Sequence, residues 1–310
     1  MTNSSFQNGV QFAWDSTSIK AAATCPRYYY YSLIEGIQPR ITSVHLIFGA
    51  LYAAALESFH KYRVLENMPY EDNIRRVVKE TLLASWNSEE NRPIEFAHSA
   101  KTRISLIRSI IWYLDEFAKN EGAMKTHILH NGKPAVEVSF SLDIDNDLVI
   151  CGHLDQIVDY SEALWVMDQK TSGGAIGSYF FDGFKPDIQM SCYSWAGQIL
   201  TESPIKGVII DAAQIAVGGT NFARGFTTRT SDELDEWWES SYEVIQRTRD
   251  YTYQMENKDD PAQAFPMNTT ACGNYGGCPF RKICSAAPRI RNAIIKQDYA
   301  AKVWDPLERR

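Results

Sequence analysis

The chain has 310 residues, of which 45% are hydrophobic and 22% charged, and its formal net charge is -7. This balance is typical of a globular protein with one large domain or two small ones, and the acidic charge argues against a protein that coats nucleic acid. No apolar run approaches the roughly 20 residues of a membrane span, and the N-terminus lacks the basic and apolar segments of a signal peptide. We therefore expect a cytoplasmic protein with no membrane partner, whose six cysteines are thiols or metal ligands rather than disulfides.

The first third of the chain predicts helices. Apolar spacing indicates helices over residues 16–34, 44–63, 71–87 and 97–121. The first of them contains Cys25 followed by Pro26, and the proline marks a helix start or a kink near this point.

The hydrophobic period then changes. Residues 134–169 alternate or run apolar and predict three antiparallel strands, with turn signals at Asn131-Gly132 and at Asp145 to Asp147. A helix over 184–201, strands over 206–217 and 222–228, and a long polar helix over 230–256 follow, whereas 265–286 is rich in glycine and cysteine and shows no period. This order predicts an α/β or α+β core with a helical N-terminal lobe.

We divide the chain into three parts of one integrated domain. Residues 1–125 form the helical N-terminal lobe, residues 126–260 the core, and residues 261–310 a cysteine-rich cap with the C-terminal tail.

Two acids and one lysine stand on the predicted hairpin. Side chains alternate across a strand, so Asp168 and Lys170 project from the same face, and Asp155 lies on the neighbouring strand. Two carboxylates can hold a hard divalent cation, and a lysine can polarise or orient the attacking water. The alternative interpretation is a solvated hairpin with surface ion pairs, which contribute little to stability.

An acidic chain can still carry a local basic channel. Ordinary solvated surfaces are the alternative for each candidate residue. The candidates are Lys101, Arg103, Arg108, Arg224, Arg229, Arg281 and Lys282.

Three cysteines, Cys272, Cys278 and Cys284, fall within 13 residues with glycines between them. This pattern can wrap a small inorganic centre, but three thiolates leave a tetrahedral centre one ligand short. Cys25 is the candidate for the fourth ligand, because it also precedes a proline and lies outside the predicted strands. Zinc is one possible occupant, although zinc sites more often have cysteine pairs with two to four residues between them. Cys151 and Cys192 lie in apolar patterns and are predicted to be buried.

Six motifs in this order resemble the RecB-type nucleases of the PD-(D/E)XK superfamily, in the iron–sulfur branch that includes the AddB nuclease domain, CRISPR-adaptation nucleases and phage exonucleases. The resemblance covers the chain from about Cys25 to Cys284. The motifs are Cys25-Pro26-Arg27, Phe48-Gly49 to Leu56-Glu57, Gly152 to Asp155, Asp168 to Thr171, Gln189 to Tyr193, and the cysteines 272, 278 and 284.

The resemblance implies a restriction-endonuclease-like α/β fold, with a mixed central sheet flanked by helices and an iron–sulfur cap. It implies a metal-dependent deoxyribonuclease, more an exonuclease than an endonuclease, that acts on single-stranded or frayed DNA in a bacterium or a phage-infected host. Relatives act as homo-oligomers or with helicase and recombination partners.

The resemblance also implies roles for particular residues. Asp155, Asp168 and the carbonyl of Gln169 would bind Mg²⁺ or Mn²⁺, and Lys170 would position the water. Gln189 and Tyr193 would contact the DNA backbone near the scissile phosphate. A [4Fe-4S] cluster would be held by Cys25, Cys272, Cys278 and Cys284.

One position departs from the family pattern. Where many relatives carry a metal-binding histidine after Phe-Gly, this chain has Ala53. His60 or His153 could substitute, or acids, carbonyl and water alone could hold the metal, which is the interpretation we favour. Glu137 occupies a position at which many relatives carry an acid. The alternative is that Glu137 is an ordinary strand residue that faces solvent. Ala53 also admits a second hypothesis, a DNA-binding or scaffold protein with a weak or inactive site.

Overall fold

The computed structural model describes residues 4–41, 43–119 and 123–308, except for the side chain of Tyr275. The contacts divide the chain into two units. Unit 1 comprises Met1–Thr42, Ser139–Gly152 and Thr230–Arg310, and unit 2 comprises Ser43–Val138 and His153–Arg229. No helix in the described ranges is long and apolar enough to cross a membrane.

The helices and strands follow each other along the chain in a mixed order. The α-helices are α1 (Ser16–Thr24), α2 (Pro26–Tyr29), α3 (Val44–Leu65), α4 (Tyr70–Ala84), α5 (Arg103–Phe117), α6 (Ser178–Asp182), α7 (Ile188–Thr201), α8 (Ser231–Gln254), α9 (Arg281–Cys284) and α10 (Pro288–Asp298). The strands are β1 (Phe6–Gln7), β2 (Val10–Gln11), β3 (Ala13–Trp14), β4 (Ile37–Pro39), β5 (Trp86–Asn87), β6 (Arg92–Pro93), β7 (Lys125–Thr126), β8 (Val136–Asp145), β9 (Leu148–Tyr160), β10 (Ala163–Ser172), β11 (Ile205–Ile215), β12 (Thr220–Thr227) and β13 (Tyr299–Ala301).

Unit 2 is built on a mixed sheet with the strand order β12-β11-β10-β9. The β9–β10 and β11–β12 pairs are antiparallel, whereas β10 and β11 are parallel. Parallel neighbours need a crossover connection, and here the chain crosses through α6 and α7. The predicted α/β class, with a mixed central sheet flanked by helices, is confirmed.

Helix α3 packs on one face of this sheet. Its residues Phe48, Tyr52, Leu56 and Phe59 form one stripe, because spacings of three and four residues keep side chains on the same side of a helix. They are buried in one cluster with Ala213 and Ile215 of β11 and with residues of α5. Full burial of an apolar side chain of this size contributes roughly 1.5–3 kcal/mol, so the stripe holds α3 on the sheet.

Helix α7 packs on the opposite face. Val166 and Thr171 of β10 project from opposite faces, because their positions differ by an odd number. A Cβ on Gly49 of α3 would meet Thr171 Oγ1 at 3.4 Å, whereas a Cβ on Gly197 of α7 would meet Val166 Cγ2 at 3.0 Å. The missing side chain at Gly197 therefore lets α7 lie close against β10.

Unit 1 brings distant parts of the chain together. Strands β4 and β13 pair antiparallel, and β3 pairs with the first residues of β9. Arg27 is buried, and its Nε donates to the carbonyl of Phe265 at 2.8 Å. The side chain of Asn268 donates to the carbonyl of Thr24 at 2.9 Å. The segment around Cys25 thus lies against residues 265–268.

Local chemistry shifts several predicted boundaries. The predicted helix 16–34 breaks at Cys25, whose backbone is extended (φ -163°, ψ 114°), because a proline disfavours the helical conformation of the preceding residue. The predicted helix 97–121 begins only at Arg103, after a capping box formed by Thr102 and Ser105. It ends at Phe117, and its predicted residues 120 and 121 lie outside the described ranges.

The other predicted elements are confirmed with smaller changes. The predicted helix 71–87 ends at Ala84, and the predicted helix 184–201 begins at Ile188 after the cap Asp187. The helices over 44–63 and 230–256 and the strands over 206–217 and 222–228 correspond to α3, α8, β11 and β12. Helix α10 was not predicted. The division at residues 125 and 260 stays a prediction.

Candidate active site

Four of the predicted site residues in unit 2 are joined in one row of contacts. Lys170 Nζ lies 2.5 Å from Asp168 Oδ2 and donates to Gln189 Oε1 at 3.0 Å. Gln189 Nε2 in turn donates to the hydroxyl of Tyr193 at 2.9 Å. Asp168 and Lys170 share a face of β10, and Gln189 and Tyr193 share a face of α7. The close packing of α7 on β10 therefore brings the two motifs together.

Asp155 contacts the backbone of β10 between Asp168 and Lys170. Its Oδ2 accepts a hydrogen bond from the amide of Gln169 at 2.9 Å. The antiparallel pairing of β9 with β10 includes the pair Gln156 and Met167, so the adjacent Asp155 and Asp168 lie on neighbouring strands at the same level of the sheet.

Burial and charge change the ionisation of these residues. Burial raises the pKa of Asp168 to about 7; the charge of Lys170 opposes this effect and that of Asp155 adds to it. Burial lowers the pKa of Lys170, but the charges of Asp168 and Asp155 outweigh it, so that the pKa is raised and the ammonium is retained. Burial, with the same two acids, raises the pKa of Tyr193 well above its usual value. The carboxylates of Asp155 and Asp168 thus both act on the Lys170 ammonium. Two carboxylates are oxygen donors that fit a divalent metal ion.

A small cavity lies beside Asp155 and Gln169. Glu137 is one of its lining residues, and its left-handed backbone (φ 48°) costs on the order of 1–3 kcal/mol in a residue other than glycine. Burial, with the charges of Arg63 and Arg224, lowers the pKa of His60 to about 4, so this imidazole is neutral at pH 7. The lining residues are Ala53, Glu57, His60, Val136, Glu137, Asp155, Gln156 and Gln169.

The cavity relates three positions of α3 to the site. Ala53 lines it, as the resemblance implies for the position of the missing histidine, and Glu57 and His60 line it with Ala53. Glu57 belongs to a sequence motif of α3 for which no site role was predicted. The spacing 53, 57, 60 is the signal that could have identified it, because residues three and four apart on a helix are neighbours. His153, a described residue, is not part of the lining.

Of the candidates for a basic channel, Lys101 is an interior residue and Arg224 is partly buried. Lys101 is 1% exposed, with Nζ 3.4 Å from Thr171 Oγ1 and 5.4 Å from the centre of the Phe48 ring. Burial lowers the pKa of Lys101. Arg224 Nε is paired with Oδ1 of the buried Asp211 at 2.9 Å. For Lys101, both a channel and a solvated surface are therefore wrong predictions, whereas the role of Arg224 in a channel stays a prediction.

The four predicted cluster cysteines belong to unit 1 and are free thiols. Burial raises the pKa of Cys278, and the charges of Cys272 and Cys25 add to this effect. Burial also raises the pKa of Cys284 to about 11; Arg27 opposes this effect, and Cys278 and Cys25 add to it. Charge on neighbouring thiols of the four thus contributes to the raised pKa of Cys278 and of Cys284.

A metal-binding arrangement is nevertheless not formed. Within the described ranges, no group of three or more His, Cys, Asp and Glu side chains is placed to hold a metal ion. The carboxylate set and the four-cysteine set therefore stay predictions. Arg27 Nη1 is buried and has no hydrogen-bond partner among the described residues, and a buried cation beside ionisable thiols fits an anionic centre. The predicted burial of Cys151 and Cys192 is confirmed.

Two solved structures among those that match the chain are distant likenesses. The "Putative exonuclease" of Eubacterium rectale is 11% identical over 76% of this chain and 80% of that chain, with a TM-score of 0.45. A protein named SSO0001 is 14% identical over 46% of this chain and 61% of that chain, with a TM-score of 0.25. TM-scores this low do not establish the fold or the function of the chain.

Comparison of sequences gives the family. No curated protein matches the chain. The family model described as the PD-(D/E)XK nuclease superfamily matches residues 14–285, which is most of the chain and includes every predicted site residue. The chain therefore belongs to the PD-(D/E)XK nuclease superfamily.

Proposed function

We propose that the chain is a metal-dependent deoxyribonuclease that acts as an exonuclease on single-stranded or frayed DNA ends. The observation that carries this proposal is the row of contacts from Asp168 through Lys170 and Gln189 to Tyr193. It links an acid and a lysine suited to hydrolysis with the helix whose Gln189 and Tyr193 would contact the DNA backbone near the scissile phosphate. Assembly as a homo-oligomer, or with a helicase or recombination partner, belongs to the same proposal.

Each residue of the site has a role in this proposal. Asp155, Asp168 and the carbonyl of Gln169 would hold Mg²⁺ or Mn²⁺. Such a cation, when bound, lowers the pKa of water and offsets charge on the phosphate. Lys170, kept charged by the neighbouring acids, donates to the water or to the phosphate. Gln189 holds the Lys170 ammonium in position, and Tyr193 holds the amide of Gln189.

Substitution of Lys170 tests the catalytic assignment. We expect Lys170→Ala to lower Mg²⁺-dependent release of labelled nucleotides by about 100-fold or more, as is typical when a group that assists proton transfer is lost. Lys206→Ala is the matched control, because Lys206 is an exposed lysine of the same unit outside the site. If Lys170→Ala degraded DNA like the wild type, the assignment would be wrong.

We also propose that Cys25, Cys272, Cys278 and Cys284 hold a [4Fe-4S] cluster. The buried Arg27 nitrogen that has no acceptor among the described residues, and the charge of Arg27 that favours the thiolate of Cys284, support an anionic centre in unit 1. Zinc is the alternative occupant.

Metal analysis tests the cluster. We expect anaerobically purified protein to absorb near ~400 nm and to contain ~4 iron atoms per chain. Cys278→Ala should lose the iron, whereas Cys192→Ala, which removes a buried thiol of unit 2, should keep it. Zinc without iron would overturn the assignment.

The second candidate function is DNA binding without catalysis, as a scaffold. Ala53 favours it, because Ala53 lines the cavity with Asp155 and Gln169 and cannot bind a metal. Incubation with labelled single- and double-stranded DNA in Mn²⁺ or in EDTA separates the two functions. Binding without any metal-dependent product would favour the scaffold.

Restoring the histidine sharpens this test. We expect Ala53→His to increase Mn²⁺ affinity about tenfold, since an added ligand worth ~1.4 kcal/mol has that effect. Ala54→His, at the neighbouring exposed position of α3, is the control. An equal response of the two variants would show that position 53 does not face the metal.

A further inference from the structure

We infer that Tyr179 is a nucleobase-stacking residue beside the active site, so that the enzyme holds a single strand through a base as well as through its phosphates. This inference rests on the proposed action on DNA. Tyr179 is 93% exposed. It lies on α6, in the connection between β10, which carries Lys170, and α7, which carries Gln189.

A row of paired residues across the sheet gives the distance from the site. Asp168 of β10 pairs with Ile210 of β11, and Ile210 pairs with Gly225 of β12. Directly paired residues project from the same face, and neighbouring strands are about 4.8 Å apart. Gly225 therefore lies about 10 Å from Asp168 and faces the same side of the sheet as Asp168 and Lys170.

Phe181 fixes α6 at this point. An ideal Cβ on Gly225 would lie 2.1 Å from Phe181 Cδ1, so the phenyl ring occupies the space that any other residue at position 225 would need. Helix α6 is thus seated on the face of the sheet that carries Asp168 and Lys170, at the same level. Tyr179, two residues before Phe181, projects into solvent from this seat.

Further contacts hold the segment that follows α6. The Phe180 ring lies 5.2 Å from the Phe181 ring and 5.4 Å from the Phe184 ring, centre to centre. Arg229 donates to the carbonyl of Phe184 at 2.9 Å and to Ser191 Oγ at 3.0 Å. The support of Tyr179 is therefore ordered by aromatic packing and by hydrogen bonds to α7, although α6 itself has only five residues.

An exposed aromatic ring on an ordered support suits a single strand. A base gains about 5- to 100-fold in affinity by stacking on an aromatic side chain, and any base can do so. Support that is ordered before binding lowers the entropy lost on binding. Gly225, against which Phe181 packs, lies about 10 Å from Asp168, a span of about three stacked nucleotides at ~3.4 Å each. A ring on α6 is therefore placed to meet a base of the strand whose phosphate is at the site.

Binding without cleavage tests the inference. The probe is a labelled oligothymidylate of 12 nucleotides in EDTA, compared with the same strand lacking bases at four successive positions. We expect the full chain to bind the complete strand at least about 5-fold more tightly than the abasic strand. Tyr179→Ala should lose this preference, and Tyr179→Trp should keep it. Tyr253→Ala, which removes a 63% exposed tyrosine of α8, is the matched control and should keep it.

A second variant tests the support rather than the ring. Gly225→Ala displaces Phe181, so it should weaken the preference for the complete strand while Tyr179 is intact. Its thermal unfolding shows whether the fold is kept. An unchanged preference in folded Gly225→Ala would overturn the argument that Phe181 positions α6.

The outcomes separate this inference from the proposed function. If the wild type cleaves DNA and Tyr179→Ala keeps the full preference for the complete strand, the inference is wrong and the proposed function stands. If the wild type neither binds nor cleaves DNA, both are wrong.

Discussion

Lys170 is the residue on which the two motifs of the site converge. Asp168 supplies the charge that keeps its ammonium protonated, and Gln189 supplies a directional hydrogen bond. Tyr193 contacts Gln189 rather than Lys170. The row therefore implies graded contributions, in which each residue acts through the one before it.

Substitutions along the row should show this order. We expect Gln189→Ala to lower kcat by about 10- to 100-fold, because a displacement of ~1 Å at a catalytic group can cost ~100-fold. Tyr193→Phe removes only the acceptor of the Gln189 amide and should cost less, whereas Lys170→Ala should cost most. Values of kcat and KM on labelled single strands check the order. A Tyr193→Phe loss as large as that of Lys170→Ala would contradict it.

The raised pKa of Asp168 makes metal affinity depend on pH. With a pKa of about 7 in the absence of metal, Asp168 binds a proton below pH 7, and a cation must displace this proton. We expect Mn²⁺ affinity to level off above pH 7 and to fall about tenfold per unit below it. Titration calorimetry between pH 5.5 and 8.5 measures this slope. Asp168→Asn should bind Mn²⁺ more weakly and without the slope, and a flat wild-type profile would contradict the assignment.

Among the elements, α7 depends most on a close approach to the sheet. It carries Gln189 and Tyr193, and a Cβ on Gly197 would lie 3.0 Å from Val166 Cγ2 and 3.1 Å from Ile205 Cγ1. Val166 and Ile205 are both buried, branched side chains of the sheet, so neither can move away freely. The helix itself would have to shift.

Gly197→Ala should therefore affect both stability and catalysis. We expect a loss of about 1–3 kcal/mol in the free energy of unfolding, the usual cost of overpacking, together with a lower kcat because Gln189 moves with the helix. Ile199→Ala is the control, since Ile199 lies on α7 and is 45% exposed. Denaturant unfolding and nuclease assays of both variants check this, and a fully active Gly197→Ala would contradict the close-packing argument.

Periodicity predicted the elements but not the contacts between them. Alternation along β10 placed Asp168 and Lys170 on one face, and a four-residue spacing placed Gln189 and Tyr193 on one helix face. The bond from Lys170 to Gln189 depends on the parallel pairing of β10 with β11, which no local pattern encodes. The burial of Lys101 depends likewise on Thr171 and Phe48, both of which are distant from it in sequence.

On the scale of the whole molecule, the proposed site and the proposed cluster belong to different units. Asp155, Asp168, Lys170, Gln189 and Tyr193 are in unit 2, whereas the four cysteines are in unit 1. Unit 1 contains α1 near the N-terminus and α10 near the C-terminus. The cluster therefore bears on the stability of unit 1, and the two proposals can fail independently of each other.

Loss of the cluster should destabilise unit 1 more than unit 2. A centre that joins Cys25 to Cys284 closes a loop of roughly 260 residues, for which chain entropy alone suggests about 5 kcal/mol. We expect removal of iron by a chelator, or Cys25→Ala, to increase hydrogen exchange in α1 and α10 of unit 1. Exchange in β10 and α7 of unit 2 should change less. Peptide-resolved hydrogen exchange of holo and iron-free protein measures this difference. An equal increase in both units would show that the cysteines stabilise the whole chain, and no increase in α1 would show that Cys25 is not a ligand.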